Sequence, residues 1–370
     1  MIKSFKKFLS FALVLVLLLP LIGCANGDKT NDNENTVVMT FNDKTITAGE
    51  FGYYLANYKS RFAQVFTDFE DTDEFYDSEI NGVNAEEYLF DMVVQNVKRT
   101  LVSEALFYEN GLELNDSMIM DIEYYMDMLI YEKFNNDDAE FNSAVNKLGI
   151  TALELRDIYL RDEMTYELMS LLAKDKETIG VTDQAMQDYL DDNYSRICHI
   201  YVNNKYTYLT DLNGKPVYDA EGKKMTVQMS GKELAAKNDV IAAIDESLAD
   251  GGDFVEIYDA FSEDKLYKNG YYLTRNTQFI DEVVLAAFEL EIGEWIKIES
   301  NVGTHYVKRL PMDQKPWEDN ANADFFGNFV DVVINEKFGE YLDSFASEVE
   351  INEEALEEFD LRTSPVNYIF

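Results

Sequence analysis

Two cysteines, two histidines and two tryptophans are all that 370 residues hold of those types. With only Cys24 and Cys198, the disulfide framework that staples small secreted domains cannot form. A zinc site takes three or four protein ligands, and one thiol pair, two imidazoles and scattered acids supply none of the familiar spacings. Basic residues are scarce too. Against 71 Asp and Glu stand 31 Lys and Arg, a formal charge of −40, so nucleic acid and anionic membrane surfaces are poor partners. The acids lie in short groups such as Asp71-Thr72-Asp73-Glu74, read as solvated surface; none fits an EF-hand loop. No apolar run is long enough to span a bilayer, because Phe8 to Ile22 covers about fifteen residues where roughly twenty are needed, and it contains Pro20.

What is present is ample apolar material. Hydrophobic residues make up 46% of the chain, with 24 Tyr and 24 Phe, enough for real cores and more than one domain. The start, Met1-Ile2-Lys3-Ser4-Phe5-Lys6-Lys7 followed by the apolar run, reads as a secretion signal over residues 1–23. It ends Leu21-Ile22-Gly23-Cys24, which looks like a bacterial lipobox, so Cys24 is the expected lipidation site, with cleavage just before it. Two acyl chains there would tether the protein to the outer face of the cytoplasmic membrane without embedding it. Removing residues 1–23, which hold Lys3, Lys6 and Lys7 and no acid, takes the formal charge from −40 to −43. Residues 24–36 are polar and without hydrophobic periodicity, a flexible stalk. Cys198 is then the only thiol left.

From residue 36 the pattern predicts a hairpin over Thr36 to Thr47, then a helix capped at Thr47 with Glu50 three residues on. A second capping box at Asn84 leads a stripe of Leu89, Val93, Val97, Leu101 and Ala105, stopped at Asn110-Gly111. Further helices are expected from Asp116 to about Lys133, from Asp137 to Lys147, from Thr151 through Leu171, and from Thr182 to about Asn193. The pattern then changes. Ile197 to Val202 reads as a strand, residues 204–229 as an inserted hairpin, Lys232 to Ala249 and Phe279 to Leu290 as helices, and Trp295 to Glu299 and His305 to Leu310 as strands. Residues 321 to about 359 read as helical and acidic.

Cys198 stands beside His199, which suggests a nucleophile with its base. Successive strand residues point to opposite faces, so the two cannot readily serve one site, and Cys198 is expected behind the sheet. His199 is expected to face His305 across it.

The ordered pieces Cys198-His199-Ile200, Gly252-Asp253-Phe254, Phe261-Ser262-Glu263-Asp264, Ala287-Phe288-Glu289-Leu290 with Gly293-Glu294, and Gly303-Thr304-His305 resemble the parvulin family of peptidyl-prolyl isomerases. The whole chain looks like an extracytoplasmic foldase lipoprotein of the PrsA and SurA type. The resemblance implies an α+β fold: a helical chaperone lobe from residues 37–190, completed by C-terminal helices in 313–370, carrying a compact four-stranded isomerase domain over 191–312. It implies His199, Asp264 and His305 as catalytic residues, with Phe279, Val283 and Phe288 as the shelf that grips proline. It calls for no cofactor and no metal. Unfolded or partly folded secreted chains are the implied partners, with a homodimer left open.

Other readings of the same residues stay open. Two facing histidines also make a satisfied core pair, and Asp264 could be an exposed loop acid. Lys205, Lys215, Lys223 and Lys224 in the insert could read phosphate, although a solvated hairpin fits so acidic a chain better. At the level of function, the alternatives are a chaperone with a degenerate isomerase domain and a surface lipoprotein that binds a solute.

Overall fold

A computed structural model describes residues 35–65, 69–80, 82–266, 270–367 and 369. The signal segment, Cys24 and most of the stalk lie outside these residues. Two compact units divide the chain, one running through Thr182 and resuming over Phe329–Phe370, the other Asp183–Asn328. Among the described residues no helix is long and apolar enough to cross a membrane.

The first unit is mostly helical. Its longest helix, Ala85–Glu109, is capped by the Asn84 side chain on the Glu87 N–H and buries Leu89, Val93, Val97, Leu101 and Ala105 on one face. The helix Ala152–Leu172 opens with a complete capping box between Thr151 and Glu154, and the helix Asp116–Phe134 is capped by Asn115, one residue before the expected Asp116. A small sheet corrects the reading of the C-terminal region as helical: Glu350–Ile351 is a strand that pairs antiparallel with Val37–Phe41, which pairs in turn with Lys44–Thr47. Lys59, fully buried in the helix Ala48–Val65, holds the chain's end in place. Its ammonium donates to the carbonyls of Arg362 at 3.1 Å and Ser364 at 2.9 Å and pairs with Asp71 at 2.8 Å. A buried ammonium needs that many partners to offset its lost hydration.

The second unit is α+β. Four antiparallel strands lie in the order Tyr271–Thr274, Tyr194–Val202, Thr304–Leu310, Trp295–Glu299. The first of these was not expected as a strand. Alternation along the central strand sorts its side chains onto two faces. Cys198, Ile200 and Val202 pack with Ile241, Ile244 and Leu248 of the helix Gly231–Ala249 and Phe254, Ile257 and Tyr258 of the helix Phe254–Phe261. Ile197 goes the other way, joining Leu273, Val307, and Val283 and Ala287 of the helix Asp281–Glu289. The inserted ribbon, Tyr206–Tyr208 against Thr226–Gln228, stands in solvent with exposed Tyr206, Tyr208 and Val227. Tyr194 and Tyr272 pack edge-on or tilted against Phe326, so residues just before Phe329 belong with this unit.

Candidate functional site

Two adjacent strands bring the histidines together. Registered pairs are His305 with Tyr201 and Val307 with His199, so His199 and His305 are diagonal neighbours on one face and not directly opposite. Diagonal neighbours are within reach of ring side chains. The rings lie nearly parallel, 12° apart with centroids at 5.1 Å, and His199 Nε2 is 2.9 Å from His305 Nδ1. Tyr201 stacks against His305 with centroids at 5.1 Å, stays 6.3 Å from the His199 ring, and donates its hydroxyl to the Val302 carbonyl at 2.9 Å. Gly303 makes that stack fit: a Cβ there would stand 2.5 Å from the Val202 carbonyl oxygen and 2.6 Å from Tyr201 Cε2.

Ser300 sets the direction of the hydrogen-bonded chain. Its Oγ accepts from the backbone N–H groups of Val302 at 3.1 Å and Gly303 at 3.3 Å, which occupies its lone pairs. The hydroxyl proton has two acceptors in reach, His305 Nε2 at 2.8 Å and the Gly303 carbonyl at 3.4 Å, and the shorter contact favours donation to His305. His305 then carries its own proton on Nδ1 and donates to His199 Nε2, and His199 carries its proton on Nδ1. That nitrogen is buried without a hydrogen-bond partner among the described residues and lies 4.0 Å from Asp264 Oδ2. The gap is too long for a direct bond. Catalytic contacts of this length commonly shorten when substrate binds.

Both imidazoles are neutral at ordinary pH. Burial, with a smaller contribution from His305, pushes His199 down to about 3. Burial also lowers His305, opposed by the carboxylates of Glu299 and Glu282. On the opposite face of the same strand, burial raises the Cys198 thiol to about 11, so it holds little thiolate and is a packing residue.

No family model matches the chain. It is 20% identical over 330 residues to the foldase protein PrsA of Clostridium kluyveri, covering 85% of this chain and 86% of that one. With the foldase protein PrsA of Clostridium perfringens it shares 28% identity over 195 residues, 51% of this chain and 52% of that one. The chain is PrsA-like. The crystal structure of PrsA from Bacillus subtilis aligns with 78% of this chain and 90% of that one at 17% identity, with a TM-score of 0.23, too low to compare element by element.

Within the PrsA-like chain the expected shelf is rearranged. Phe279 lies in the loop before the helix, which starts at Asp281 and not at Phe279. Its ring is 37% exposed and stands edge-on to His199 at 5.5 Å and to Tyr271 at 5.9 Å. Val283 is fully buried in the core beneath the sheet, so it offers a proline ring no surface; this corrects its placement on the shelf. Phe288 packs against the same core and is covered by Arg275, whose guanidinium carbon is 4.3 Å from the ring centroid. Asp264 is partly exposed and takes the Leu266 N–H at 3.0 Å on Oδ1, leaving Oδ2 towards His199.

Tyr201, Tyr271 and Ser300 were missed by sequence reasoning. Period two would have found Tyr201, two residues after His199 on the same strand face. Tyr271 sits on a four-residue strand with no clear alternation. Ser300 reaches His305 only because the turn at Ser300 to Gly303 folds back, which composition does not signal.

Proposed function

We propose that this chain is an extracytoplasmic foldase that rotates X-Pro peptide bonds at the pocket formed by Phe279, Asp264, His199 and His305, and holds unfolded secreted chains on its helical unit. In the same reading a lipid on Cys24 tethers it to the membrane. One observation carries the catalytic part: a neutral histidine pair, oriented through Ser300, lies beneath an exposed aromatic ring and beside a carboxylate. Rotation about a peptide bond meets a barrier of about 18–20 kcal/mol because the twisted amide loses resonance. No nucleophile is required. A pocket accelerates rotation when it binds the twisted amide better than the planar one. Phe279 would seat the proline ring, and Asp264, steered by the Nδ1–H of His199, would act on the rotating amide in a site preorganised by the buried rings.

A second reading has its own support. Burial of Val283 leaves Phe279 as the one exposed ring of the expected shelf, while the helical unit exposes Met120, Tyr131, Leu153 and Tyr166. Apolar groups of this size in water suit the holding of unfolded chains without catalysis. Refolding of a secreted test protein with a proline-limited slow phase separates the two. A foldase speeds that phase, and Asp264→Ala removes the effect while leaving suppression of aggregation intact. A chaperone alone suppresses aggregation and leaves the slow phase at its uncatalysed rate.

A further inference from the structure

We infer that the pocket prefers proline preceded by a cationic residue, Lys or Arg, and discriminates against a preceding carboxylate or phosphorylated residue. The inference rests on the isomerase reading above and assigns its substrate class.

Four carboxylates surround the histidine pair. Glu263 is answered by Lys237 at 2.6 Å and by the Asn203 N–H at 3.2 Å. Glu299 takes the Thr304 hydroxyl at 2.7 Å and Lys205 at 3.4 Å. Asp264 and Glu282 are different: among the described residues neither has a Lys or Arg side chain in ion-pair contact; Asp264 pairs only with His199, which is held neutral, while the adjacent Lys265 donates to the Tyr258 and Asp259 carbonyls. Glu282 is exposed in the first turn of the helix Asp281–Glu289, three residues after Phe279. The proline shelf is thus flanked by two carboxylates that no cation in the described chain neutralises.

An independent feature marks the same place as incomplete. His199 is only 3% exposed, yet among the described residues its Nδ1 has no hydrogen-bond partner, and it faces Asp264 across 4.0 Å. Buried polar groups left unsatisfied in a fold usually have a missing partner. A ligand that closes the gap would bring a peptide backbone against Asp264, and the side chain preceding its proline would lie over the acidic rim. The whole chain, at −40, adds a field of the same sign. Two of the four lysines of the inserted ribbon are engaged elsewhere: Lys205 with Glu299, and the Lys224 ammonium over the Tyr208 ring at 4.9 Å.

The test uses the full chain and three peptides that differ only in Lys, Ala or Glu before proline, with exchange rates read by NMR so that no protease biases the comparison. At low ionic strength Lys-Pro is expected to turn over about tenfold faster than Glu-Pro, equivalent to about 1.4 kcal/mol, with Ala-Pro between them. The ratio should shrink in about 1 M salt, where the Debye length falls to about 3 Å. Glu282→Gln should lower the Lys-to-Ala ratio, and Glu282→Lys should move the preference towards Glu-Pro. Equal rates for Lys-Pro and Glu-Pro, with Ala-Pro active, overturn the inference and leave the isomerase reading standing. A Lys-to-Ala ratio untouched in both Glu282 variants also overturns it. No turnover of any peptide overturns both.

Discussion

His199 Nε2 lies 2.9 Å from His305 Nδ1, on strands registered so that the two residues are diagonal neighbours. Both rings are buried, one at 3% exposure and the other fully, and both are held below their ordinary pKa by that burial. A pair of this kind is a neutral hydrogen-bonded strut, and its contribution depends on staying neutral.

Acid should therefore weaken the second unit. The unfolded imidazole titrates near 6.5, while folded His199 stays neutral down to about 3. Between those values the unfolded chain binds a proton that the folded chain does not, so stability is fully present above about pH 6.5 and falls as the pH drops. At pH 4.5 the loss from this residue is at most about 3 kcal/mol. The tryptophans, Trp295 and Trp317, both lie in Asp183–Asn328, so their fluorescence in urea titrations follows this unit. The fall in midpoint from pH 7 to 4.5 should be smaller in His199→Gln than in the wild type. An equal fall in both would place the pH dependence elsewhere.

Ser300→Ala should destabilise the same unit by about 1–3 kcal/mol, because His305 Nε2 and the Val302 and Gly303 N–H groups all lose their partner. Ser300→Thr, which keeps the hydroxyl, should recover most of the loss. A Ser300→Ala midpoint equal to that of the wild type would mean that water replaces the hydroxyl and that Ser300 does not orient the pair.

Val283 and Phe279 should separate in their effects. Val283→Ala removes buried methyl groups from the core and should cost about 2 kcal/mol of stability. Phe279→Ala removes a partly exposed ring and should leave the urea midpoint nearly in place. A large stability loss in Phe279→Ala would show that the ring is packing for the loop and no open shelf.

In the first unit, Lys59→Met should loosen the chain's end, since it removes the group that gathers Asp71, Arg362 and Ser364. The expected cost is on the order of 3 kcal/mol, with faster amide exchange over residues 360–367. Exchange there at the wild-type rate would show that Arg362, through Asp77 and Glu86, is sufficient to hold the segment.

Much of this architecture was legible where the cause is local. Thr151 with Glu154 and Asn84 with Glu87 announce their helices because a cap is satisfied within four residues. Cys198 and His199 part company because a strand alternates, and the structure puts them on opposite faces. Features made by distant segments were not readable. Glu350–Ile351 becomes a strand only by meeting Val37–Phe41, and two residues carry no period. Tyr271–Thr274 forms at the sheet edge, where Gly270, at φ +89°, lets the backbone approach Ile197; a Cβ there would stand 2.8 Å from the Ile197 carbonyl oxygen. Val283 was misplaced because the helix begins at Asp281, which frees Phe279 from it and turns Val283 into the core.

The most direct measurement is the cis/trans exchange rate of an Ala-Pro tetrapeptide by NMR, alone and with catalytic amounts of the wild-type chain, Asp264→Ala and Phe279→Ala. Uncatalysed exchange takes tens of seconds. The wild type should speed it, and each variant should lose about ten- to a hundredfold of that acceleration, the scale of one contact made in the transition state. A wild-type chain that leaves the exchange at its uncatalysed rate, while its tryptophan fluorescence shows the second unit folded, would contradict catalysis at the His199, Asp264 and Phe279 pocket.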